Sequence, residues 1–180
     1  MTDHSENSLG AVVKSLRDIV GPAVDPVDPL AQEQLALSIG YLEFLRDRLA
    51  HVHTRARFEL DHHRRIARSV LEIVSDAEIA NGLRSSVRAG EQAARDADGE
   101  THAIERATAA IAADLRTVLR ADLQPPVQEE VERAVMAAMP ERVEFERSWY
   151  LPMGFDPAPD SAQPLVEFIA AYESLPPATD

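Results

Sequence analysis

LAQEQLALSIGYLEFLRDRLAHVHTRARFELDHHRRIARSVLEIVS, residues 30–75, decides how this chain folds. The stretch has no proline and one glycine, Gly40. Its apolar residues recur at heptad spacing. Leu35, Leu42, Leu49, Ala56, His63 and Val70 form one row, and Ser38, Leu45, Val52, Glu59, Ile66 and Ile73 form a second. Rows three and four residues apart share a helix face, so the pattern predicts a long helix presenting a seam to a core. Glu59 and His63 interrupt that seam with an ionisable pair.

Asp28 and Pro29 read as N-cap and first helical position of this helix. Unbroken to Ser75, it would measure about 70 Å at 1.5 Å per residue. A compact monomer of 180 residues has a radius of gyration of only about 16 Å. The helix must therefore bend or break, at the weak helix formers His51–Thr54, or pair with a second copy. A long, bent helix in a homodimer accommodates both.

Working outward, Asn7 or Ser8 is the expected cap of a first helix from about Leu9 to Val20. Pro22, Pro26 and Pro29 make residues 21–29 a rigid extended linker. Ser75 and Glu78 have the form of a capping box opening a helix to about Ala97, with Ile79, Leu83, Val87, Gly90, Ala94 and Ala97 as its seam. That seam grows smaller along its length, so a partner helix can approach closely at its far end. Asp98–Gly99 is a stop signal. A further helix over about 101–121 turns Ile104, Ile111, Leu115, Val118 and Leu119 inward. Pro125–Pro126 start the next, with Val127, Val131, Val135, Ala138 and Met139 inward and Pro140 as a kink or a restart towards Trp149. Residues 150–160 are irregular, and residues 164–174 form a short last helix on Leu165, Phe168, Ile169 and Tyr172. Residues 1–7 and 175–180 are expected to lack regular structure. The fold class that follows is all-α: one domain over residues 1–180, an antiparallel bundle of five or six helices with one long helix around residues 29–75.

Composition sets bounds on function. With 45% hydrophobic and 27% charged residues the chain is of globular type. Cysteine is absent, which removes disulfides, thiolate metal sites and a cysteine nucleophile. Residues 1–7 carry no basic, apolar leader pattern, and no apolar run reaches bilayer length, so the expectation is a cytoplasmic protein without a membrane partner. The net charge of −13 disfavours nucleic acid and anionic membranes. The charge is segregated. Residues 46–68 hold seven arginines against Asp47, Glu59 and Asp61, whereas residues 121–180 hold twelve acidic groups against Arg133, Arg142 and Arg147. The simplest expectation is that the acidic third docks on the basic segment, within one chain or across a dimer.

Chemistry is hinted at in one place, HVHTRARFELDHH (residues 51–63), which holds four of the six histidines. Glu59 and His62 are three residues apart, the spacing that aims a carboxylate and an imidazole at one metal in ferritin-like di-iron bundles. His102 and Glu105 repeat the spacing in reverse order. If the two helices face each other there, Glu59, His62, His102 and Glu105 offer ligands for non-haem iron, manganese or zinc, with redox or oxygen chemistry to follow. Only one Glu-x-x-His is present, so the di-iron pattern is incomplete. The same cluster also reads as an anion site, in which Arg55, Arg65 and His63 hold a carboxylate or phosphate of a small ligand. Against both stands a structural reading: Glu59 and His63 fix helix register, and the arginines pair with Glu129, Glu130, Glu132, Glu144 or Glu146. Trp149, Tyr150 and Phe155 gather three of the nine aromatics in a segment that plugs the open end of a core. The seven glycines are isolated, which excludes a phosphate loop, and no nucleophile elbow occurs. A helix-turn-helix reader does not fit the acidic, proline-broken N-terminal region. The role expected is non-catalytic and without a resident cofactor, exerted through an oligomeric or partner interface, with a metal-binding bundle as the rival.

Overall fold

The computed structural model describes residues 4–96 and 99–174. Among the described residues every regular element is helical and no strand occurs, as an all-α bundle requires. No helix among them is long and apolar enough to cross a membrane. Ala97 and Asp98, and residues 1–3 and 175–180, lie outside the described residues. The chain divides into two compact units, Met1–Val52 with Tyr150–Pro157 and His53–Trp149 with Ala158–Asp180, named here the N-terminal unit and the bundle unit.

The N-terminal unit is an antiparallel helical hairpin. Helix α1, Ser5–Ser15, starts four residues ahead of the expected Leu9 and has no side-chain cap, so Asn7 and Ser8 lie inside it. Glu6 in its first turn suits the positive end of the helix dipole. The chain continues through one π-helical turn, Leu16–Val20, and a 3-10 turn, Gly21–Ala23. The expected extended linker therefore begins only at Val24. Pro22 stands in the 3-10 segment, near the end of this continuous helical run. Helix α2, Pro29–Arg48, is capped as expected, the Asp28 carboxylate accepting from Ala31 N at 3.0 Å. Arg17 Nη2 donates to Glu43 Oε2 at 2.8 Å, joining the two arms. Val13 and Ile39 are the buried apolar residues between them.

The long stretch is helical from Pro29 to Ile73 except for one 3-10 turn at Leu49–His51, which ends on the first residue of the weak segment His51–Thr54. Helix α3, Val52–Ile73, leads into α4, Ala77–Arg95, α5, Thr101–Leu119, and α6, Pro125–Tyr150. A 3-10 turn at Leu151–Met153, closed by Gly154 at φ 75°, and another at Pro159–Ser161 lead to α7, Leu165–Glu173. The cap of α4 is Asp76 rather than Ser75. Its carboxylate accepts from Glu78 N at 2.8 Å and Ile79 N at 3.3 Å, and a charged acceptor outcompetes a hydroxyl at the positive end of a helix. Pro140 neither ends nor restarts α6, which runs through it.

The core of the bundle unit is built from α3 to α6. Ala56, Leu60, Ala67 and Val70 of α3 pack with Leu83 and Val87 of α4, Ile104 and Ile111 of α5, and Val131 of α6. The narrowing seam of α4 does admit close neighbours. A Cβ on Gly90 would lie 2.8 Å from Ile111 Cδ1 and 3.3 Å from Leu60 Cδ1, so a larger residue would have to displace the Ile111 side chain where three helices meet. On the other side of α3, Phe58 stacks on Phe145 of α6, with ring centroids 4.2 Å apart, and meets Phe168 and Tyr172 of α7 edge-on. Helix α3 is thus enclosed on both sides and is the central element of its unit.

Candidate functional site

Between its two apolar sides α3 carries a row of arginines and histidines, several of which meet acids, whereas His53 Nδ1 lies 3.1 Å from the Thr101 hydroxyl. Arg55 Nη2 donates to Glu146 Oε1 at 3.1 Å while its guanidinium lies 4.6 Å over the Trp149 ring. Arg65 donates to Glu141, and Arg68 donates to Glu91 of α4 at 2.8 Å. Arg142 of α6 reaches back to Glu59 at 3.6 Å. The acidic α6 is therefore docked on the basic α3 within one chain. Glu146 is among the partners expected from sequence. Glu141 is a partner that the sequence reading missed.

His63 and Glu59 form a loose i, i+4 pair along α3. Their side chains stand 3.8 Å apart, and the shorter bond is from His63 Nδ1 to the Glu59 carbonyl oxygen at 2.7 Å. That bond puts the proton on Nδ1 and turns the imidazole back along its own helix. His62 is the deeper residue, 1% exposed, against the ring of Phe58. Its Nδ1 lies 3.4 Å from Glu141 Oε2, and its Nε2 is buried without a partner. Burial is the main reason its pKa is lowered, with His63 and Arg65 adding to the effect and the bond to Glu141 opposing it. The imidazole is therefore held neutral.

A second cluster, unforeseen from sequence, ties α3 to α7. Tyr172 donates to Asp61 Oδ2 at 2.6 Å, and Arg64 donates to Asp61 Oδ1 at 2.9 Å. Burial first, then the bond to the Asp61 carboxylate, push the Tyr172 phenol well above its ordinary range. The nitrogen Nε of the buried Arg64 has no partner. An i, i+3 pair such as Asp61 and Arg64 is visible in a sequence, but a tyrosine 111 residues away is not.

The four residues proposed as metal ligands are not gathered. His102 and Glu105 bond to each other at 2.9 Å on an open surface, 83% and 50% exposed. Glu59 faces His63 and Arg142, whereas His62 faces Glu141. Residues 59 and 62 are three apart, but α3 is enclosed on two sides and each residue serves a different neighbour. Among the described residues no three His, Asp or Glu side chains are arranged to hold a metal ion. The anion set fares alike: Arg55, Arg65 and His63 each face an acid or a carbonyl of the chain itself.

The other unusual surface lies in the N-terminal unit. Fifteen large apolar side chains are exposed among the described residues, and twelve of them belong to this smaller unit. On α2 they form a stripe: Leu30 (65%), Leu37 (47%), Tyr41 (52%) and Leu45 (49%), continued by Val52 (40%) beyond the 3-10 turn. At 100° per residue the four α2 positions fall on one flank of the helix, and Leu35, Ile39 and Leu42 fall on another, towards α1. Helix α2 is apolar on two flanks and covered on one. The second heptad row of the sequence, through Leu45 and Val52, faces a core only after Val52. Comparison of the chain with models of protein families, with curated proteins and with solved structures finds no match.

Proposed function

We propose that this chain is a non-catalytic interaction protein whose interface is the uncovered apolar flank of the N-terminal hairpin. The observation that carries the reading is the concentration of exposed apolar side chains there. Monomeric proteins rarely expose contiguous apolar area on this pattern, and such patches mark association surfaces. A helix apolar on two flanks belongs between two neighbours. The engagement of Arg55, Arg64, Arg65 and Arg68 with carboxylates of the same chain supports an architectural role for the basic cluster over a ligand-binding one.

The test is the double variant Leu37→Asp/Leu45→Asp, studied in dilute solution. An interface residue contributes little to the fold of the isolated chain, so the urea midpoint should stay within about 1 kcal/mol of the parent. A loss of roughly 4 kcal/mol or more, the signature of buried leucines, would place the stripe in the chain's own core and overturn the reading.

A further inference from the structure

The stripe on α2 has a symmetry of its own. Leu30, Leu37, Tyr41, Leu45 and Val52 are separated by seven, four, four and seven residues, a spacing that reads the same in both directions about Tyr41. An isologous two-fold contact matches each residue i of one subunit with j of the other and j with i. Two copies of α2 laid antiparallel and centred on Tyr41 satisfy that condition: Leu37 meets Leu45 and Tyr41 meets its own equivalent, while Leu30 is directed towards the 3-10 turn that ends the partner's α2. We infer that the occupant of this flank is a second copy of the chain, paired antiparallel through α2.

A further observation favours this occupant. Glu33 near the start of α2 and Arg48 at its end lie within one residue of symmetric positions about Tyr41. An antiparallel partner therefore brings opposite charges together at both ends, and a parallel one brings like charges together. Five side chains make a small interface, so the dimer should be of roughly micromolar affinity.

This inference rests on the interface reading above, and its failure can be told apart from the failure of that reading. The full chain is measured by sedimentation equilibrium, and a reversible monomer–dimer equilibrium is expected. Because the chain has no cysteine, orientation can be read by oxidation of Leu37→Cys and Leu45→Cys variants. Antiparallel pairing gives a disulfide-linked dimer only when the two variants are mixed. Each alone should give none, since like residues then stand about 12 Å apart along the axis. Cross-linking of each variant with itself means parallel pairing and overturns the inference. A monomer at every concentration also overturns it, and leaves the interface reading in place if the Leu37→Asp/Leu45→Asp variant retains its stability. Both fall if that variant loses it.

Discussion

His62 sits where a hydrophobic residue would serve the fold better, between Phe58 and Glu141 with one ring nitrogen unpaired. Its pKa is lowered on folding, so the unfolded chain binds the proton more tightly than the folded one. Its contribution to stability is complete above the unfolded value of about 6.5, and declines as pH falls towards the lowered folded value. The urea midpoint should therefore drop between pH 7.5 and pH 5, and His62→Leu should flatten that part of the profile. Asp61 offers a comparison of a different kind. Tyr172→Phe removes one bond to a charged acceptor and should cost about 1.5–3 kcal/mol. Asp61→Ala leaves the buried Arg64 guanidinium uncompensated and should cost about 3–5 kcal/mol. Equal losses in the two variants would show that Arg64 finds another anion.

Helix ends and helix junctions carry the next set of effects. Asp76→Ala should cost about 1 kcal/mol through the lost cap of α4, and Ser75→Ala should change little, which thermal unfolding of the pair can establish. Gly90→Val drives a branched side chain into Ile111 and Leu60 and should cost about 1–3 kcal/mol through overpacking. At this scale much of the molecule was legible in the sequence. The prolines at 29 and 125, the capping acid at 28 and the inward rows of α4 to α6 announce themselves through local chemistry. On α3 the seam residues Ala56, Ile66 and Val70 are buried as the rows predict, but Phe58 and His62 did not stand out, because they lie among arginines and carboxylates that look like a solvated surface. Those charges are satisfied by α6 and α7, and the pairing of elements far apart in the chain has no local signature. The metal set failed for a related reason. Spacing along one helix says which residues share a face, but it does not say which neighbour that face meets. On α2 and at its C-cap the converse holds: the heptad residues Leu45 and Leu49 have the pattern of a core and are exposed.

Across the whole molecule, charge is the dominant long-range property. Each chain carries a net −13, so two copies repel at distance even though Glu33 and Arg48 attract locally. Screening acts over a Debye length of about 10 Å at 0.1 M salt and reduces the repulsion of the whole more than a close pair. The dimer proposed above should therefore tighten as sodium chloride rises from about 0.05 to 0.5 M. A dimer that loosens over the same range, measured by sedimentation, would mean that the end pairs outweigh the net charge. Within one chain the segregation of charge works the other way. The basic α3 and the acidic α6 attract, and pairs such as Arg55–Glu146 and Arg65–Glu141 align the two helices antiparallel.

Pro140 gives α6 a property that its unbroken outline conceals. Without an N–H at that position the carbonyl of Met136 lacks its rung in the helix ladder. The residues before it, including Val131, belong to the aliphatic core, and those after it, including Phe145, belong to the aromatic cluster. A 26-residue helix is thereby divided into two segments, each fastened to a different part of its unit and joined at a weak point. Deuterium should enter such a helix from its middle as well as from its frayed ends, and the two segments should exchange with separate protection factors.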